Sequence, residues 1–162
     1  MRRLPPPRRP GHYAIALVCL GNICRSPMAH VVLEARLADR GLADRVVVHS
    51  SGTGDWHVGQ PMDERAAQTL SRSGYDPSRH RAVQYDHTWL EDHDVVLAMD
   101  ESNLDDLGGP SERVGLFRDL DPAGAGEVPD PYYGGADGFD QVLEMIERTS
   151  EALADAVADH LT

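Results

Sequence analysis

Short continuous apolar runs alternate along this chain with stretches in which apolar residues recur every three or four positions. The first run, Ala14-Ile15-Ala16-Leu17-Val18, has the pattern of a strand buried on both faces. A loop follows over 19–25, and Ser26-Pro27 then carries the signature of a helix start, Ser at the cap and Pro in the first turn. Met28, Val31, Val32, Ala35, Leu37 and Ala38 keep helical spacing, and Gly41 supplies a stop. Val46-Val47-Val48 predicts a second strand, and residues 50–55 a loop. A helix is expected over 62–73, with Ala66, Ala67 and Leu70 on one face and Gly74 ending it. Residues 75–85 read as a connection with a short strand at Ala82 and Val83, and 87–91 as a helical turn. A third strand is expected over 94–99, a short helix over 101–107, and a weaker strand over 114–117. The Pro- and Gly-rich stretch 119–137 is a long loop, of the kind that is commonly functional or disordered. The last helix, 139–161, carries Phe139, Val142, Leu143, Ile146, Leu153 and Val157 on one stripe.

Strands alternating with helices predict an α/β fold. The expected form is an open four-stranded parallel sheet with helices on both faces, of Rossmann-like or flavodoxin-like type. Ligands of such sheets bind beyond the carboxyl ends of the strands, which is where the loop over 19–25 falls. Residues 1–11 are rich in Arg and Pro, and are expected to be a disordered extension ahead of a domain spanning 12–162.

Charge narrows the function classes. The chain of 162 residues carries a net charge of −12, and all its Lys/Arg residues are Arg. An acidic balance argues against a nucleic-acid surface, which needs a basic footprint. No run approaches the roughly 20 apolar residues that span a bilayer, and no apolar segment follows the first arginines. Two cysteines are too few for a disulfide framework. The expected setting is the cytoplasm, with both thiols reduced, no membrane partner and a monomeric chain.

The candidate chemistry sits in Val18-Cys19-Leu20-Gly21-Asn22-Ile23-Cys24-Arg25-Ser26-Pro27. A cysteine closes a buried strand, and an arginine opens a helix six positions later. Gly21 and Asn22 both tolerate positive φ, so the loop can curl with its N–H groups pointing inward. Such a nest beside a helix N-terminus is an anion site. Arg25 can grip two phosphate oxygens through its planar fork, and the same cup favours a negatively charged sulfur at Cys19. Ser26 can donate to that sulfur. Alone, Cys19 would also fit as a small apolar residue ending a core strand. That reading does not account for Gly21, Asn22, Arg25 and Ser26 at these offsets. A dinucleotide loop is excluded because Gly-x-Gly-x-x-Gly is missing, and a Walker loop because the chain has no Lys. Cys19 and Cys24 have no second ligand pair downstream, so no metal and no cofactor are implied.

This stretch resembles the phosphate-binding loop of the low-molecular-weight protein tyrosine phosphatases, Cys-x5-Arg-Ser. Asp130-Pro131-Tyr132-Tyr133-Gly134 is similar to that family's Asp-Pro-Tyr-Tyr loop, Met99 to Asn103 to the segment after its third strand, and Ser50 to Trp56 to the loop after its second. The resemblance spans about residues 12–160. It implies Cys19 as nucleophile, Arg25 as phosphate binder and Asp130 as general acid and then base, with Leu20, Gly21, Asn22, Ile23, Cys24 and Ser26 completing the anion loop. Asp121-Pro122 and Asp76-Pro77 are rival Asp-Pro pairs, each also at home in a turn. The resemblance further implies that Asn22 holds the loop with Ser50 and His80, and that Trp56, Tyr132 and Tyr133 wall the pocket. Cys24 could pair reversibly with Cys19 under oxidation, or simply fill space in the loop.

The implied reaction is hydrolysis of protein phosphotyrosine and small aryl phosphates through a cysteinyl-phosphate, with phosphate, vanadate or sulfate competing. Two enzymes on the same fold are alternatives: a thiol-dependent arsenate reductase and a protein-arginine phosphatase. The first needs two further cysteines, which this chain lacks. On this fold a Thr at the position of Ile23 goes with phosphoarginine, so Ile23 points to phosphotyrosine. A non-catalytic phosphate-binding or redox module is the third reading.

Overall fold

The computed structural model describes residues 3–161. Four strands, β1 (Tyr13–Cys19), β2 (Val46–Gly52), β3 (Val95–Ala98) and β4 (Val114–Leu116), form one all-parallel sheet in the order β2-β1-β3-β4. The helices are α1 (Arg25–Asp39), α2 (Glu64–Arg72), α3 (Trp89–Asp92), α4 (Glu101–Asp106) and α5 (Ala136–Leu161). A strand's side chains alternate between faces, and β1 shows the consequence. Tyr13, Ile15, Leu17 and Cys19 enter the larger core with α1, α2 and α5, while Ala16 and Val18 enter a smaller one with Val96, Ala98, Leu104 and Leu107. Helices therefore cover both faces, as the alternating pattern predicted.

Three local expectations change. Ser50 and Ser51 belong to β2, because the ladder against β1 runs on through Leu17–Ser50, Val18–Ser51 and Cys19–Gly52. Gly52 is required there: a Cβ would lie 2.7 Å from the Leu20 carbonyl oxygen. The strand expected at Ala82 and Val83 is reduced to a single parallel bridge, Gly52 with Gln84. The segment expected to be a disordered extension instead lies against the domain from residue 3 onward. Leu4 is buried in the main core, the Tyr13 hydroxyl donates to the Pro5 carbonyl (2.8 Å), and the Arg8 N–H donates to Asp94 (2.7 Å). Arg113 reaches the Pro6 carbonyl (3.1 Å) and Arg8 the Leu90 carbonyl (3.2 Å). Composition missed this because the segment needs only one apolar anchor when the folded domain supplies the partners for its backbone.

The long loop is also partly ordered. Phe117–Leu120 is a 3-10 turn, and the Asp121 carboxylate, fully buried, takes Arg148 (2.7 and 2.8 Å) and Arg118 (2.9 Å). Those bonds hold Asp121 well below the usual carboxylate range. The Val128 N–H donates to the Met99 carbonyl (2.8 Å), bringing the following residues to the carboxyl end of β3.

Candidate active site

The loop between β1 and α1 is held in shape by one residue. Asn22 is fully buried and is the only non-glycine with positive φ among the described residues (56°). Its side-chain amide donates to Ser26 Oγ (2.8 Å) and Ser50 Oγ (3.1 Å), and its Oδ1 accepts from the Val83 N–H (2.9 Å). Its carbonyl lies 2.6 Å from His80 Nε2, so that nitrogen carries the donated proton. Burial, with His30 and Arg81 acting in the same sense, outweighs this bond and pulls the His80 pKa below its ordinary value. The left-handed turn aims the Asn22 N–H at Cys19 Sγ (3.2 Å), and Ser26 Oγ lies 3.0 Å from the same sulfur. Asn22, Ser50 and His80, expected together from sequence, are thus brought together.

Proton directions extend this network backward. Ser50 Oγ accepts from Asn22, and its own hydrogen can point to His30 Nδ1 (3.3 Å). That arrangement leaves the proton of His30 on Nε2, facing Glu34 (3.2 Å). Sequence reading missed both His30 and Glu34, although their i,i+4 spacing on α1, four and eight residues beyond Ser26, was a usable signal.

Arg25 opens α1 and is almost wholly buried. Its Nη1 donates to Asp100 (2.6 Å) and to the Val128 carbonyl (3.0 Å), while Nη2 lies 3.6 Å from Asp130. Burial pulls its pKa down, but Cys19, Asp100 and Asp130 more than offset this, and the guanidinium stays charged. Asp100 and Val128 were not singled out from sequence. A buried arginine needs a counter-ion, and an Asp just past the neighbouring strand was the place to look.

The cleft above this loop holds about 380 Å³. Cys19, Leu20, Gly21, Ile23, Cys24 and Arg25 line its floor, and Trp56, Tyr132, Tyr133 and Asp130 its walls, all expected from sequence. His57 also lines it and was not expected. Tyr132 is backed by the Arg65 guanidinium, 5.3 Å from its ring centre, and Arg65 is paired with Asp63, the cap of α2. The rival acids are elsewhere. Asp121 is sequestered by its arginines, and Asp76 closes a turn onto Ser78 (2.9 Å). Cys24 caps α1 as a free thiol; burial, then the charges of Asp63, Cys19 and Asp130, push its pKa up. Among the described residues no group of three or more His, Cys, Asp or Glu could hold a metal ion, and no helix is long and apolar enough to cross a membrane. The arrangement offers a sulfur under donors, a fixed cation and an adjacent carboxylate, which suits an anion that undergoes displacement at its centre.

Comparison with known proteins gives a consistent result. The model of the family "Low molecular weight phosphotyrosine protein phosphatase" matches residues 14–161. A low molecular weight protein-tyrosine-phosphatase of Streptomyces coelicolor is 45% identical over 158 residues, covering 92% of this chain and 96% of the relative. The crystal structure of YfkJ from Bacillus subtilis superposes with a TM-score of 0.87 at 31% identity, covering 95% of this chain and 99% of that one. A protein tyrosine phosphatase of Entamoeba histolytica, crystallised with Hepes in the active site, gives 0.85 at 30% identity, covering 91% and 97%.

Proposed function

Because the chain belongs to the low molecular weight phosphotyrosine protein phosphatase family, we propose that it hydrolyses protein phosphotyrosine and small aryl phosphates through a cysteinyl-phosphate. The observation that carries this is the convergence on one cleft of Cys19 Sγ under the Asn22 N–H (3.2 Å), the Arg25 fork, and Asp130 3.6 Å from that fork. A phosphoryl group seated in the loop meets inward N–H groups, the α1 N-terminus and Arg25, which stabilise charge on its equatorial oxygens. The Cys19 thiolate attacks phosphorus, the phosphorus–oxygen bond breaks, and protonated Asp130 gives its proton to the leaving phenolate. Asp130, now a carboxylate, takes a proton from water. That water attacks phosphorus, the sulfur–phosphorus bond breaks, and phosphate leaves with the thiolate restored. Ser26 helps at this last step. Its hydrogen can serve either the Ser51 carbonyl (3.3 Å) or the sulfur, and the thiolate draws it to the sulfur.

The aromatic walls suit a phenyl ring, and the buried nucleophile leaves a phosphoserine too short to reach. Ile23, in place of a threonine, supports phosphotyrosine over phosphoarginine. The reading extends to a cytoplasmic monomer without metal, nucleic-acid or membrane partner, with phosphate, vanadate and sulfate as competitors. Under peroxide, oxidation of Cys19 to the sulfenic acid and condensation with the Cys24 thiol, releasing water, would form a protective disulfide.

The test is a panel of phosphotyrosine, phosphoserine, phosphothreonine and phosphoarginine peptides with Cys19→Ser as control. Only phosphotyrosine should turn over, with phosphate trapped on the wild-type protein and not on Cys19→Ser. Turnover by Cys19→Ser near the wild-type rate would rule out Cys19 as the nucleophile.

A further inference from the structure

A second and more open cleft of about 400 Å³ adjoins the first, lined by Leu20, Thr53, Trp56, Tyr85, His87 and Asp106. Leu20 and Trp56 line both clefts. Trp56 is 66% exposed, and its ring lies directly on Gly54, where a Cβ would come within 1.8 Å of a ring carbon. The glycine leaves room for the indole, which borders both clefts. A residue next to a phosphotyrosine in the first cleft therefore lies beside the second.

The chemistry of the second cleft is specific. Leu20, Trp56 and Tyr85 offer apolar and aromatic surface, and Asp106, at the exposed end of α4, is its one carboxylate among the described residues. Asp86 lies near enough to raise the pKa of the Tyr85 hydroxyl, after burial itself. Among the described residues no arginine lines this cleft, and His87 is its only basic side chain. Two hydroxyls in its lining, on Thr53 and Tyr85, are buried with no hydrogen-bond partner among the described residues.

We infer that this cleft is a substrate subsite that takes an arginine or lysine side chain flanking the phosphotyrosine of a target protein. The methylenes lie along Trp56 and Tyr85, the cation sits over aromatic faces, and the charge is met at Asp106. Continuity with the catalytic cleft makes the occupant part of the same peptide, and the sign of Asp106 makes it cationic. The inference rests on the phosphotyrosine reading above.

The experiment compares kcat/KM for matched phosphotyrosine peptides carrying Arg, Ala or Glu on each side of the phosphorylated residue. p-Nitrophenyl phosphate serves as a substrate too small to reach the second cleft. On one side, Arg should be preferred to Ala about two- to five-fold, the size of an exposed charge contact, and the preference should shrink as salt is raised. Asp106→Asn should abolish the preference and Asp106→Arg should turn it toward Glu, with turnover of p-nitrophenyl phosphate unchanged in both. Equal kcat/KM across the wild-type peptides, or a preference that survives Asp106→Asn, overturns the subsite. Failure of the wild-type protein on p-nitrophenyl phosphate would overturn the phosphatase reading itself.

Discussion

Replacing Asn22 with alanine removes three side-chain hydrogen bonds at one buried point: to Ser26, to Ser50 and from Val83. Each contributes about 1 kcal/mol net, and the Val83 N–H left without its acceptor adds to the loss. Alanine must also adopt φ near 56°, where its Cβ crowds the following carbonyl at a cost of about 1–2 kcal/mol. The expected destabilisation is about 4 kcal/mol, a large share of the stability of any domain of this size. Urea unfolding should read it as a lower midpoint with an unchanged slope, and heating as a fall of roughly 8–16 °C. Asn22→Gly separates the causes. It loses the same bonds but relaxes the backbone, so it should recover about 1 kcal/mol relative to Asn22→Ala. Both variants should lose turnover of p-nitrophenyl phosphate, because the N–H aimed at Cys19 depends on this turn. A loss below about 1 kcal/mol in Asn22→Ala would refute the claim that this residue holds the loop.

Other predictions test separate parts of the molecule. Asp130→Asn should slow substrates with poor leaving groups, such as phenyl phosphate, by roughly 10²–10⁴-fold and spare good ones, and an equal loss across a leaving-group series would argue against general acid catalysis. Asp100→Asn should weaken competition by phosphate and lower stability by about 2–4 kcal/mol, because Arg25 stays buried with its closest carboxylate gone; unchanged phosphate inhibition would count against Asp100 as its anchor. Deleting residues 1–10 should lower the melting temperature by several degrees, about 2 kcal/mol, through loss of Leu4 and the Arg8–Asp94 contact, and leave kcat/KM unchanged. Burial pulls His80 below its ordinary pKa, so the unfolded chain takes up this proton more readily. Stability should therefore fall as pH drops below about 6.5, then level once the folded form is protonated too. His80→Asn should flatten that slope in urea unfolding between about pH 7.5 and 5. An unchanged slope would assign it to His49, whose pKa is also lowered, by burial and by His93.

The chain alone determined the element order, the parallel sheet covered on both faces and the loop that carries Cys19, Asn22, Arg25 and Ser26. These follow from short-range causes: apolar period, capping residues and the ease with which Gly and Asn take positive φ. The aromatic wall was legible because Asp130-Pro131-Tyr132-Tyr133 and the stretch from Ser50 to Trp56 are each contiguous and resemble family loops. What grips Arg25 was not. Asp100 and the Val128 carbonyl stand 75 and 103 residues away, and only the placement of β3 beside β1 brings them near. Pro6, 107 residues from Arg113, is brought near in the same way, whereas His80, 58 residues from Asn22, was expected only through the family resemblance. Local sequence sets backbone geometry and period. The partner of a buried charge or backbone group is set by which strands lie side by side, and here that order, β2-β1-β3-β4, was decided by tertiary packing.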